Sequence, residues 1–226
     1  MFELSKRLQQ CVSLVNSDSI IDIGTDHAKL PIWMVKNNLI KSSLASDITE
    51  FSIRRSLNNV KKYNLEDKIK VVLSDGFANI DENFSDSIVI AGLGGESISN
   101  ILKNCQWKNK KGKKFILQPS KSDSYLRNFL SQNGFYIESE SIVSDHNYSY
   151  STILSRYLGK SYHFDEIYSF IGKIIPCKDS SDYIKKQIRY VEKILEGAKI
   201  KRDSNLIHKT EKILSGLYDF LFDCGG

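Results

Sequence analysis

Short apolar runs alternate with amphipathic, helix-spaced segments through the first three-quarters of the chain. Period-two and continuously apolar stretches bounded by turn residues predict strands at Ser19–Ile23, Ser43–Asp47, Ile69–Leu73, Ser87–Ala91, Phe115–Gln118, Phe135–Val143 and Tyr150–Leu158. Helical spacing fills the intervals at Leu4–Val15, Pro31–Lys36, Phe51–Tyr63, Ser97–Leu102 and Ser122–Gln132. Strands alternating with helices predict a doubly wound α/β sheet. The last two runs flank a short polar turn at His146 and Asn147, so they read as an antiparallel hairpin closing one sheet edge.

After Gly159 and Lys160 the pattern changes. Tyr183, Ile184, Ile188, Val191, Ile194 and Leu195 recur at helical spacing, as do Leu206, Ile207, Ile213, Leu214, Leu217 and Tyr218 beyond the polar break Lys201-Arg-Asp-Ser-Asn205. Two such helices predict an αα-hairpin or short coiled coil. The expected organisation is therefore an α/β domain over residues 1–160 and a helical domain over residues 161–226.

Composition narrows the class. The 226 residues are 41% hydrophobic and 26% charged, which is ordinary for a globular protein. No apolar run approaches the roughly 20 residues of a membrane span, and the stretch from Met1 to Leu14 carries charges in place of a signal-peptide core. A cytoplasmic protein is expected. Cys11, Cys105, Cys177 and Cys224 lack CxxC spacing, which argues against a zinc site and a disulfide framework. The net charge of +5 permits a polyanionic partner without requiring one.

Candidate chemistry collects at the strand ends. The first strand runs into Asp22, Gly24 and Asp26, placing carboxylates and a flexible turn where open parallel sheets bind nucleotide-like ligands. Thr25 or Asp26 is expected near the cap of the helix that follows. Asp47 ends the second strand, where a carboxylate can accept from both hydroxyls of a ribose; capping the next helix is the competing role. Asp75-Gly76 follows the third strand and suits either an adenine amine or a plain Asp-Gly turn. The fourth strand ends in three glycines, Gly92, Gly94 and Gly95, but without dinucleotide GxGxxG spacing, which disfavours a nicotinamide dehydrogenase. Gln118 can read a base edge or tie down a loop. The run from Lys103 to Lys114 interleaves Trp107 with lysines, as an RNA-facing segment or a solvated loop would.

Together these strings resemble the bacterial tRNA (adenine-22-N1)-methyltransferase family, TrmK. The match runs through Leu4-Ser-Lys-Arg-Leu8, Asp22-Ile-Gly-Thr-Asp-His-Ala-Lys-Leu-Pro31, Asp75-Gly76, Ile90-Ala-Gly-Leu-Gly-Gly95 and Ile116-Leu-Gln-Pro119. The chain carries Thr25, Lys29 and Leu93 where the family usually has Ser, Tyr and Met.

The resemblance implies a Rossmann-like class I methyltransferase sheet with a carboxy-terminal coiled-coil-like domain. It implies transfer of a methyl group from S-adenosylmethionine to N1 of an adenine in the D-arm region of tRNA. Carried over by position, Asp22, Gly24, Asp26, His27, Asp47, Asp75, Gly76, Ala91, Gly92 and Leu93 would line the cofactor site. Asp26 and His27 are the candidate catalytic residues, and Gly94, Gln118, Lys6, Arg7, Arg54 and Arg55 the candidate tRNA contacts. No metal and no membrane partner are expected, and the working unit is expected to be a monomer. Adenine N1 is unprotonated at neutral pH, so its methylation needs orientation more than a strong base. Methylation of another RNA, and RNA binding by a non-catalytic relic of the fold, stand as alternatives.

Overall fold

Seven strands in the order β3-β2-β1-β4-β5-β7-β6 form one sheet in the computed structural model, which describes residues 2–146 and 148–225. The elements run α1 (Lys6–Ser13), β1 (Ser19–Ile23), α2 (Lys29–Lys36), β2 (Ser42–Asp47), α3 (Glu50–Lys62), β3 (Ile69–Leu73), β4 (Ser87–Ala91), α4 (Gly95–Lys103), β5 (Lys114–Gln118), α5 (Asp123–Gln132), β6 (Phe135–Asp145) and β7 (Tyr148–Tyr157). The helical tail follows as α6 (Tyr168–Ile171), α7 (Lys178–Lys201) and α8 (Ser204–Asp223).

The first five strands are parallel, and β7 returns antiparallel between β5 and β6. Helices cover both faces, so the central strands are apolar on both sides. Ile21, Ile23, Ile88, Ile90, Phe115 and Leu117 point into one core with α4 and α5. Ile20, Val89 and Ile116 point into the other, beneath α2. Chain direction reverses between β1 and β4, where connections on opposite sides of the sheet open a crevice above the strand ends.

Several boundaries differ from the sequence-based expectation. The first helix is shorter than Leu4–Val15, and α2 starts at Lys29, two residues before Pro31. Its cap position is Ala28, in left-handed conformation at φ 52°; Thr25 Oγ1 accepts the Ala28 N–H at 3.1 Å, so neither Thr25 nor Asp26 is the cap residue itself. The hairpin strands are longer than predicted and approach a turn at His146, with Asn147 outside the described residues. The one-turn helix α6 had no periodicity to betray it.

Within the lysine-rich run Trp107 and Lys113 turn inward, while Lys103, Lys108 and Lys111 stay exposed. Trp107 is buried against Phe77 and donates to the Ile80 carbonyl at 3.2 Å, while Lys113 is buried and donates to the Ser85 carbonyl at 3.0 Å. The run therefore does not present an aromatic-interleaved basic face.

The tail helices pair through Ile184, Ile188, Val191, Ile213, Leu214 and Leu217. Arg202 takes the left-handed turn at φ 54°, and Asp203 caps α8 by accepting from the Leu206 N–H at 3.0 Å. A buried polar cluster joins this tail to the sheet. Arg127 of α5 is fully buried, pairs with the equally buried Glu140 of β6, and donates to the Ser169 and Phe170 carbonyls at 2.9 and 3.0 Å. It also donates to Tyr183 Oη of α7 at 2.8 Å, and Tyr183 in turn donates to Asp123 Oδ2 at 2.8 Å. Burial works against the Arg127 charge, but Glu140 and the other partners more than offset it, so the guanidinium stays charged.

Removing one member of such a pair leaves an uncompensated buried charge. Arg127→Met should cost about 3–5 kcal/mol in chemical denaturation. The double variant Arg127→Met/Glu140→Leu should recover much of that loss; a double variant no more stable than the single one would show that the pair is not the source.

Candidate active site

The crevice at the ends of β1 and β4 has a volume of about 460 Å³. Its wall includes Arg7, Asp22, Asp26, His27, Asp47 and Leu93.

Two turns build its floor. After β1, the Gly24 and Thr25 N–H groups both donate to the Ser46 carbonyl, at 2.8 and 2.9 Å, pinning the turn to β2. Gly24 has φ +82°, and a Cβ there would come within 3.0 Å of Leu93. Only glycine meets both demands without strain. After β4, the Gly92 N–H donates to the Gln118 carbonyl at 2.9 Å and the Leu93 carbonyl accepts from the Ser120 N–H at 2.8 Å, which pins this turn to β5. Gly92 has φ +81°, and the Arg7 guanidinium occupies the space a Cβ would need.

The carboxylates are placed differently from one another. Asp22 is buried beneath the floor, and its carboxyl is pushed up to about 6 by burial, with the Thr25 hydroxyl pulling it back and the Asp47 charge adding to the rise. Asp47 sits at the rim, where Oδ1 accepts from both the N–H and the hydroxyl of Thr49 at 2.8 Å. Thr49 is the residue that caps α3, accepting from the Ser52 N–H at 3.2 Å. Asp47 thus supports the cap from one oxygen instead of being the cap. Asp26 stands at the lip with its side chain 60% exposed. Its Oδ2 lies 3.0 Å from His27 Nε2, and its Oδ1 accepts from Arg55 Nη1 and Ser52 Oγ at 3.4 Å. Arg55 also contacts the His27 ring, and the His27 carbonyl accepts from Asn59 at 3.0 Å.

Other expected residues lie around this centre. Ala91, Gly92 and Leu93 border the crevice directly. Asp75 and Gly76 line a neighbouring groove of about 830 Å³ with Ile101 and Trp107, on the β3 side. Gly94 opens α4 beside the Lys121 side chain. Gln118 is fully buried, accepting from Arg7 Nη1 at 2.8 Å and donating to the Pro119 carbonyl at 2.7 Å, so its amide is engaged within the protein. Lys6 and Arg54 are exposed, the latter 3.8 Å from Glu50. Sequence reasoning missed Lys29, Ile48, Thr49 and Ser52 as crevice residues. Their signal was adjacency to Asp26 and Asp47. Among the described residues no His, Cys, Asp and Glu cluster could hold a metal ion.

Residues 4–153 match the family described as a methyltransferase domain. MG248 of Mycoplasma genitalium, a proposed tRNA methyltransferase, is 33% identical over 182 residues, covering 78% of this chain and 81% of that protein. The tRNA (adenine(22)-N(1))-methyltransferase of Bacillus subtilis is 27% identical over 202 residues, covering 86% of this chain and 85% of the relative. The structure of M. capricolum TrmK in complex with S-adenosyl-homocysteine superposes with a TM-score of 0.78 at 27% identity, covering 99% of this chain and 100% of that one.

The strand order, the crevice at the sheet reversal and these likenesses make the chain a Rossmann-like methyltransferase. Within that class it belongs to the bacterial tRNA (adenine(22)-N(1))-methyltransferase family, TrmK.

The raised Asp22 carboxyl carries a stability consequence. Folded Asp22 holds its proton to higher pH than the unfolded chain does, so its contribution is full below about pH 4 and fades as pH rises through about 6. In the cofactor-free protein the unfolding free energy of wild type relative to Asp22→Asn should fall by about 2 kcal/mol between about pH 4 and pH 7. A difference that stays flat across that range would place the Asp22 charge in a more polar setting than the one described.

Proposed function

We propose that this protein transfers a methyl group from S-adenosylmethionine to N1 of adenine 22 in the D-arm region of tRNA. The carrying observation is a crevice at the β1–β4 reversal with a Cβ-free floor and carboxylates at its base and rim, in a chain of the TrmK family. Its volume lies within the range that accepts a nucleoside-sized ligand.

The residues fit the cofactor by type. Asp47 keeps a carboxylate oxygen at the rim for ribose hydroxyls, and Ile48, 62% exposed beside it, offers an apolar face for a base. Gly24 lets the backbone approach the ligand, with Asp22 beneath. Asp75 and Gly76, on the β3 side, are assigned to the far end of the adenosine. Gly92 and Leu93 would border the cofactor on the base side, and when bound S-adenosylmethionine would supply an electrophilic methyl group.

The chain's own task is then orientation. Adenine N1 carries a free lone pair at neutral pH, so holding it in line with the methyl group is the main catalytic demand. As N1 bonds to carbon, positive charge develops on the ring. A carboxylate accepting from the exocyclic amine stabilises that charge. Asp26 is our candidate: it is exposed at the lip, while His27 and Arg55 hold its orientation. N1 lies on the pairing edge, so the target must be unstacked at a cost of a few kcal/mol, which RNA contacts must offset. Arg7, held by Gln118 and above the Tyr150 ring, stands beside the Gly92–Gly95 turn for that purpose, and the neighbouring Lys6 is exposed. The crevice is complete within one chain, which supports a monomer as the working unit. Among the described residues no helix is long and apolar enough to cross a membrane, and a tRNA substrate supports a cytoplasmic location.

Incubation with S-adenosylmethionine and unmodified tRNA, followed by nucleoside digestion and mass spectrometry, should yield 1-methyladenosine. The product should disappear when adenine 22 is replaced. Cofactor binding without 1-methyladenosine would redirect the search to another acceptor. Asp26→Asn should keep cofactor affinity and lose at least about tenfold in turnover, the scale of one well-placed polar contact at a developing charge. Wild-type turnover in that variant would remove Asp26 from the reaction.

A further inference from the structure

A second cationic surface lies outside the crevice, at the junction of the sheet and the tail. β7 runs antiparallel to β5, with Leu117 opposite Ile153, so the β6–β7 hairpin tip extends past the carboxyl end of β5, on the active-site side of the sheet. There α7 faces the hairpin. Lys185, Lys186 and Arg189 line a cleft of about 570 Å³ opposite His146, Tyr148 and Ser149.

Lys186 also borders a second, smaller cavity of about 230 Å³, whose wall includes Lys121, Ser122, Ser124 and Tyr190. Lys121 reaches back toward the base-side turn. Its carbonyl accepts the Gly95 N–H at 2.8 Å, and its side chain passes 3.4 Å from where a Gly94 Cβ would be. The two spaces therefore meet at Lys186 and lead from the end of the Gly92–Gly95 turn to the hairpin tip.

The chemistry of this path is that of a nucleic-acid backbone. Among the described residues that line it, four cations, Lys121, Lys185, Lys186 and Arg189, face one exposed carboxylate, Asp182, 3.9 Å from Lys185, and the exposed Glu96 stands at its edge, accepting from Ser122 Oγ at 3.4 Å. Asp123 also borders the path, but it is buried and accepts a hydrogen bond from the Tyr183 hydroxyl. Tyr190 and Tyr148 are 54% and 66% exposed, leaving aromatic faces for unstacked bases. Apart from the Asp182–Lys185 contact, these side chains make no ion pair among those described, so their charge is available to phosphates.

We infer that this path, from Lys121 over Lys186 to Lys185 and Arg189 beneath the hairpin tip, seats the sugar-phosphate backbone of the RNA flanking the target adenine. The inference rests on the tRNA reading above and selects one face of α7 as the RNA-bearing face. Lys199 and Lys201, at the far end of that helix, lie off the path.

The test is equilibrium binding of unmodified tRNA to the full chain between about 50 and 200 mM salt. Each lost phosphate contact flattens the dependence of log affinity on log salt by about 0.7–0.9. Lys185→Ala/Lys186→Ala/Arg189→Ala should weaken binding about tenfold or more and flatten the slope by about 2 to 3. Lys121→Ala should flatten it by about one contact. Cofactor affinity and melting temperature should stay at wild-type values, and Lys199→Ala/Lys201→Ala should leave the slope unchanged. A folded triple variant with wild-type affinity and slope overturns the inference, as does an equal loss in the Lys199/Lys201 control. Wild-type protein that binds tRNA through these cations without forming 1-methyladenosine would instead refute the proposed methylation and leave the path standing.

Discussion

The crevice depends on a backbone approach that side chains forbid. β1 and β4 are neighbours in the sheet, and their connections leave in opposite directions, so the turns after them converge. Gly24 at φ +82° lies directly beneath Leu93, and Gly92 at φ +81° lies beneath Arg7. A Cβ at either position would push the opposing side chain into the space meant for a ligand. Both turns are then tied to their outer neighbours, the first to β2 through the Ser46 carbonyl and the second to β5 through Gln118 and Ser120. Four adjacent strands hold the floor, which gives the site the rigidity that an orientation-dependent reaction needs.

The same logic extends to the tail. A pair of amphipathic helices could pack on a sheet edge in several ways, because apolar contact is not directional. The Arg127 cluster is directional. One guanidinium meets a carboxylate from β6, two carbonyls at α6 and a hydroxyl from α7, and only one placement of those elements satisfies all of them. Buried ionic groups can be retained for specificity at some cost in stability. Here that specificity determines which face of α7 looks toward the hairpin.

Sequence reading recovered the elements whose signal is local. Of the five parallel strands, β1 and β4 are apolar runs that end at glycine turns and β2 ends in Asp47, and the alternation of short strands with helical segments predicts a doubly wound sheet. The turn glycines were legible because positive φ restricts residue type. What escaped depended on partners distant in sequence. Whether Gln118 reads a base edge or ties down a loop is undecided until Arg7, 111 residues away, is found against it. Trp107 and Lys113 belong to a run that reads as an RNA-facing segment or a solvated loop, and only the distant carbonyls of Ile80 and Ser85 show that these two are buried. Asp75 and Asp47 end adjacent strands, yet they border different hollows, because the Phe77–Trp107 packing opens a separate groove under β3. Arg127 carried no signal, since a lone arginine on a helix reads as solvated, and Tyr183 was legible only as part of an apolar helical stripe.

Charge is divided across the active-site side of the sheet in a way that suits two ligands of opposite character. Toward β2, Asp22, Asp26 and Asp47 gather around the crevice, where a cationic sulfonium and ribose hydroxyls would be received. Toward β7, Lys121, Lys186, Lys185 and Arg189 lead away from it, where phosphates would lie. A polyanion drawn by the chain's excess of +5 would be repelled by exposed carboxylates at the crevice mouth unless they were neutralised locally. Arg55 against Asp26 provides that neutralisation at the lip, and burial keeps Asp22 away from the mouth. On the proposed reading, the acidic cofactor side sits next to the basic RNA side, with the Gly92–Gly95 turn between them.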